Sequence, residues 1–198
     1  RGLSDASQAW GVPVLGGHTQ LGVPAALSVT ALGRTTAPVA GGGGRRGELL
    51  RVTADLGGSW RPGYTGAQWD SSSSRSSTEL RELAGVVPGL APTAAKDVSM
   101  SGLVGTTGML AEASGCRAVL DVAEIPAPGS VAYGDWLTCF PGFAMVTSER
   151  DPAPHAVPDF VTSRVCGELT EGTGVGLRWP DGVVTRAIES PVTGMGEA

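Results

Sequence analysis

Apolar and small side chains recur at three- and four-residue steps through the middle of the chain, at Met100, Leu103, Val104, Thr107, Leu110, Ala111 and Ser114. That spacing puts them on one helical face and predicts a helix over 102–114. Ser99 or Ser101 is placed to accept a hydrogen bond from an unpaired N–H of the first turn, and Gly115 suits the left-handed residue that closes a helix. Elsewhere the apolar runs are shorter. Residues 48–56 and 144–147 read as strands, as do 161–168, 175–179 and 183–188, the last two joined by a Pro180-Asp181-Gly182 turn. These last three strands predict a small antiparallel sheet at the end of the chain.

Residues 1–10 resemble the last turns of a helix, and 12–15 and 26–33 read as two strands paired around Gly16, Gly17, His18 and Thr19. The stretch 35–47, with four consecutive glycines, has no periodicity and is expected to be a flexible connection. Residues 59–77 and 136–143 mix aromatic side chains with Gly, Pro and Ser or Thr and are expected to be loops. A short helix over 78–84, capped by Ser77 or Thr78, should end before the break at 88–92. Residues 151–158 are too proline-rich for a helix.

Composition narrows the picture. With 198 residues, 41% of them hydrophobic, the chain can bury a substantial core, and its 31 glycines and 14 prolines imply many turns. A net charge of −5 offers no broad positive field, which argues against nucleic acid as a partner. No apolar run is long enough to cross a bilayer, so no membrane role is expected. Cys116, Cys139 and Cys166 are far apart and lack any CxxC spacing, which argues against a zinc site and a disulfide framework and suggests reduced thiols in a cytoplasmic protein.

Candidate chemistry gathers before the central helix. Asp97 and Ser99 precede a helix N-terminus, where free N–H groups and the positive end of the dipole favour an anion. Gly102, Gly105 and Gly108 leave the helix surface bare, so that either a phosphate or another backbone can approach. Lys96, the one lysine in the chain, lies beside this loop as a candidate phosphate contact. A carboxylate at a phosphate site needs a cation between them, normally Mg²⁺, which makes Asp97 the candidate metal ligand. His18 reads either as a turn histidine or as part of a site.

These residues carry a resemblance. K-D-V-S-x-x-G-L-V-G, then M-L-x-E-A-S-G and L-D-V-x-x-I-P, is similar to the opening of the C-terminal domain in the aminoimidazole ribonucleotide (AIR) synthase superfamily. That group includes thiamine-monophosphate kinase, selenophosphate synthetase and a hydrogenase-maturation protein. Met100 and Ser101 stand where the kinase carries a second aspartate. The segment Trp136-Leu137-Thr138-Cys139-Phe140-Pro141-Gly142-Phe143 resembles the AIR synthase-related branch, and V-P-V-L-G-G-H-T resembles the end of the superfamily's N-terminal, ATP-binding domain.

The resemblance implies an α+β fold with a mainly antiparallel sheet and helices on one face. Residues 1–36 would be the edge of the N-terminal domain and 37–198 the C-terminal domain. It further implies ATP and Mg²⁺ as cofactors, a phosphorylated small molecule as substrate and a homodimer. Gly16, Gly17, His18 and Thr19 would then share a nucleotide site with Lys96, Asp97, Ser99, Gly102 and Gly105. The expected function is part of an ATP-dependent enzyme that phosphorylates or activates a small molecule, or alternatively a non-catalytic binding module that kept the fold.

Overall fold

The computed structural model describes residues 2–151 and 155–195 and divides into two units, one reaching to Pro38 and one from Val39 on. The first unit opens with α1 (Gly2–Trp10), a helix with no buried residue. The two strands expected at 12–15 and 26–33 do not form, and the segment runs without regular structure. Leu15, Leu21 and Leu32 are 86%, 89% and 88% exposed. A two-stranded hairpin alone is marginal in water, and Pro13 removes one of the donors it would need.

The second unit contains, in order, β1 (Leu49–Ala54), β2 (Ser59–Trp60), β3 (Gln68–Asp70), α2 (Ser77–Leu90), β4 (Ala94–Asp97), α3 (Gly102–Ala113) and β5 (Arg117–Asp121), then α4 (Tyr133–Thr138), β6 (Phe140–Pro141), β7 (Ala144–Glu149), β8 (Thr162–Thr170), β9 (Val175–Arg178) and β10 (Val184–Ile188). Seven strands form one sheet in the order β10-β9-β5-β8-β1-β7-β4, and β2, β3 and β6 form a second, small sheet. Every pairing in the large sheet is antiparallel except β5 with β9. The strands at the chain's end are therefore not a separate sheet: β8 lies between β5 and β1, in the middle of the large one.

The core forms because alternate residues of the strands are apolar. Leu50, Val52 and Ala54 of β1 and Ala144 and Val146 of β7 pack with Leu103, Leu110 and Ala111 of α3. The intervening positions are polar yet also buried, and they satisfy one another. Arg51 Nε donates to Glu149 Oε1 at 2.9 Å, Thr147 Oγ1 donates to the same oxygen at 2.9 Å, and the Thr53 and Ser163 hydroxyls lie 2.8 Å apart.

Several elements differ from the sequence-based expectation. The helix expected at 78–84 runs from Ser77 to Leu90 through Pro88, and its N-cap is Ser76. Within 136–143, expected as a loop, α4 forms and buries Trp136 and Leu137. Trp69 of β3 stacks edge-on between Trp60 and Trp136, with ring centroids at 5.2 and 6.0 Å, so these aromatics pin the 59–77 stretch to the core. The glycine run is not a free connection either. Gly42 and Gly44 are buried, and side chains there would collide with Ala113, and with Leu169 and Ser148, respectively. Of the stretch 151–158, Pro152, Ala153 and Pro154 lie outside the described residues.

Candidate functional site

Lys96 and Asp97 belong to β4, the edge strand of the large sheet, and not to the polar loop expected there. On its inner side β4 pairs with β7, with Asp97 opposite Met145 and Ala95 opposite Thr147. On its outer side the Ala95 N–H donates to the Ala40 carbonyl at 2.9 Å. Because side chains alternate across a strand, Ala95, Asp97 and Met145 point to the same face. There they meet Leu83, Ala84 and Val87 of α2, with Phe143, Val39 and Gly41, around a cleft of about 410 Å³ that Lys96 also lines.

The cleft wall is apolar except at two residues, Lys96 and Asp97. Lys96 is half-buried, and its Nζ would lie 3.3 Å from a Cβ placed on Gly41, so glycine there leaves room for the ammonium. Among the described residues neither the Lys96 ammonium nor the Asp97 carboxylate has a hydrogen-bond or ion-pair partner. A second hollow of about 300 Å³, lined by Arg117, Glu171, Arg186 and Glu189, differs in this respect. There Glu171 pairs with Arg46 at 2.8 Å and Glu189 with Arg186 at 3.9 Å.

The helix wall of the cleft is held firmly. Ser76 and Glu79 close a capping box at the start of α2, and Arg75 donates to both oxygens of the fully buried Asp55 at 2.8 Å and to Glu79 at 3.0 Å. The Phe160 ring lies 4.1 Å from the Arg75 guanidinium. The hydrogen bonds to Asp55 raise the Arg75 pKa above its usual value. Glu79 is held below the ordinary carboxylate value, chiefly by the Ser76 backbone N–H.

The residues before and within α3 have a different setting. The Ser99 carbonyl accepts the Gly102 N–H at 2.9 Å, and Ser101, which occupies the N-cap position, makes no side-chain capping bond. The serine cap expected from sequence is thus absent, and the turn is closed by backbone. Gly102 has φ +67, and a Cβ there would lie 2.5 Å from Thr138 Cα, so this glycine serves the close packing of α4 on α3. Gly105 is half-buried, with Ser101 Cβ 2.7 Å from where its own Cβ would stand. Of the face expected to be buried, Leu103, Thr107, Leu110 and Ala111 are buried, whereas Met100 is 83% exposed. Gly16, Gly17, His18 and Thr19 lie in the first unit and are exposed.

Sequence reasoning thus found the two charged residues of the cleft and missed its apolar half. A usable signal was present: Leu83, Val86, Val87 and Leu90 recur at helical steps across Pro88. Among the described residues no three His, Cys, Asp or Glu side chains converge on a point where they could cage a metal. A lone exposed carboxylate such as Asp97 suits Mg²⁺ that is shared with phosphate oxygens, since that ion keeps few protein ligands in such sites.

Comparison with known proteins identifies the class. Residues 66–180, more than half of the 198, match the family described as AIR synthase related protein, C-terminal domain, and the chain belongs to that family. Uncharacterized protein sll0787 of Synechocystis sp. is 33% identical over 172 residues, covering 83% of this chain and 51% of its own length. Uncharacterized protein MJ0640 of Methanocaldococcus jannaschii is 26% identical over 184 residues, covering 85% and 56%. The chain therefore spans about half the length of these curated relatives.

Among solved structures, phosphoribosylformylglycinamidine synthase II of Thermotoga maritima aligns with TM-score 0.56 at 15% identity, over 81% of this chain and 28% of its own. The hydrogenase maturation protein HypE of E. coli aligns with TM-score 0.52 at 17% identity, over 77% and 52%. At such identities the likeness is one of fold. It agrees with the α+β architecture and mainly antiparallel sheet described above.

Proposed function

We propose that the chain is part of a cytoplasmic, ATP-dependent enzyme that phosphorylates or activates a small molecule, and that the cleft at the β4 edge is its substrate end. The observation that carries this reading is the pair of charges without protein partners, Lys96 and Asp97, consecutive on β4 in the lining of an otherwise apolar cleft. Lys96 is half-buried and Asp97 exposed, so both side chains are open to a ligand that enters the cleft. The family supports the nucleotide: Thermotoga maritima PurL, which shares the fold at TM-score 0.54 and 15% identity over 82% of this chain and 28% of its own, was solved complexed with ATP. Three buried thiols, none of them in a disulfide, support a reducing compartment.

In this reading Lys96 binds phosphate oxygens, and Asp97 would hold Mg²⁺. The ion supplies charge neutralisation on the phosphates when bound. The apolar wall keeps water away from the transferred group, and catalysis rests on positioning and charge and uses no protein nucleophile. Ser99 and Gly105, near the start of α3, and Gly16, Gly17, His18 and Thr19, in the first unit, are proposed nucleotide contacts; Gly102 is not among them, because its N–H is bonded to the Ser99 carbonyl and its bare side is packed against Thr138. The exposed leucines of residues 12–32 support assembly as a homodimer, which light scattering tests directly: a strictly monomeric species at high concentration would count against it.

Calorimetric titration of the full-length protein with a non-hydrolysable ATP analogue and Mg²⁺ tests the nucleotide site. Asp97→Ala should weaken binding by ~1.5–3 kcal/mol, typical of losing a charged partner, while the melting curve stays unchanged. Unchanged affinity in that variant removes Asp97 from the site.

A further inference from the structure

The walls of the cleft also speak to what kind of molecule it takes. Leu83 and Val87 of α2, Phe143, Met145 and Val39 supply an apolar surface, and the polar side chains of the lining are those of Lys96 and Asp97, successive residues of β4. Its volume, about 410 Å³, lies within the ordinary range for small-molecule sites. A sugar phosphate would bring several hydroxyls against side chains that cannot bond them, and each unpaired hydroxyl would oppose binding. A flat or branched hydrocarbon body would instead be covered on both sides, by α2 and by the strand face of β4 and β7.

We infer that the substrate of this cleft is a small molecule with an apolar, aryl or alkyl body and a single anionic end group, the body lying between α2 and β7 and the anion meeting Lys96. This rests on the enzyme reading above and deepens it, because it assigns the class of molecule that is acted on. Lys96, as the cleft's one cation, sets the preference for an anion over a cation. The apolar wall sets the preference among anions.

Three probes separate these contributions: 2-naphthyl phosphate has both body and anion, 2-naphthol lacks the anion, and ribose 5-phosphate lacks the apolar body. Each is titrated into the isotopically labelled full-length protein and followed by backbone amide shifts. The expected result is that 2-naphthyl phosphate shifts the amides of residues 83–87 and 95–97, and that both other probes bind more weakly by about tenfold or more. Val87→Asn should weaken 2-naphthyl phosphate by a similar factor and leave ribose 5-phosphate unchanged, while Lys96→Gln should abolish the difference between 2-naphthyl phosphate and 2-naphthol.

Ribose 5-phosphate binding as tightly as 2-naphthyl phosphate would overturn the inference, as would naphthyl-induced shifts confined to the exposed leucines of residues 12–32. Binding of ATP and Mg²⁺, measured on the same samples, decides the enzyme reading separately. Naphthyl phosphate in the cleft without nucleotide binding would sink that reading and leave the ligand class standing.

Discussion

Arg75 reaches across 20 residues of sequence to hold Asp55, donating one hydrogen bond of 2.8 Å to each carboxylate oxygen. Asp55 is fully buried and follows β1 in the middle of the sheet, while Arg75 stands just before α2. The pair therefore fixes the helix wall of the cleft to the sheet. Removing one partner strands the other charge where water cannot reach it. Arg75→Ala should cost ~3–5 kcal/mol, the range for breaking a buried pair, read as a lower urea midpoint. The double variant Arg75→Ala/Asp55→Ala should be less destabilised than the sum of the single variants. Additive losses would mean that the two residues act independently.

Gly102 ties α3 to α4 in a similar way, through absence of a side chain. Its φ of +67 is unfavourable for any other residue, and the Thr138 backbone fills the space where a Cβ would go. Gly102→Ala should cost ~1–3 kcal/mol from the backbone alone, and displacement of α4 should add to this. Because α4 carries Trp136, whose indole N–H donates to the Pro126 carbonyl at 2.8 Å, the variant should also alter tryptophan fluorescence. A melting temperature and an emission spectrum like those of the parent would refute the packing role.

The parts of this fold that were legible in the sequence are those where local pattern and tertiary environment agree. The span of α3 and the positions of β1, β7, β8, β9 and β10 follow from apolar periodicity, which burial then rewards in all but β10, whose residues are exposed apart from the half-buried Ile188. The misses share a cause: a neighbour distant in sequence decided the outcome. Ala94 to Asp97 form a strand because β7 offers one edge and Ala40 the other, although only the alanines are apolar. Pro88 sits on an exposed stretch of α2, where the carbonyl that it leaves unpaired faces water, so the helix continues through it. Residues 12–33 have strand-like composition but no partner strand. In the cleft, the charged pair stood out through chemistry alone, while the apolar wall comes from three elements whose meeting no single stretch of sequence encodes.

The three cysteines are buried, and two of them are also electrostatically quiet. Burial pushes the Cys139 thiol up to about 11 and the Cys166 thiol up to about 12. Since the thiolate is the reactive form, neither should react quickly at pH 8 with a disulfide reagent such as 5,5′-dithiobis(2-nitrobenzoate). Release of chromophore should be slow in buffer and complete within the mixing time in 6 M guanidinium. Fast reaction of either thiol in the native protein would show that the core opens far more readily than its packing suggests.

The capping box at the start of α2 should leave a signature in acid. Glu79 accepts the Ser76 N–H and the Ser76 hydroxyl, each at 2.8 Å, and an Arg75 N–H at 3.0 Å. All three favour the ionised carboxylate, the backbone N–H most, and so the folded pKa lies below the ordinary value of 4.5. A group with a lowered folded pKa stabilises the native state fully above its unfolded pKa and loses that contribution as pH falls through the folded value. Glu79→Gln keeps an acceptor oxygen but lacks the charge. Its deficit in urea midpoint against the parent should be constant from pH 8 to pH 6, begin to shrink near pH 4.5 and go on shrinking as the pH falls through the lowered folded value. Comparison of the two proteins at each pH removes the effect of other carboxylates, Asp55 among them. A deficit of equal size at pH 7 and pH 3 would mean that the hydrogen-bond geometry of the box, and not its charge, holds the first turn of α2 against the cleft.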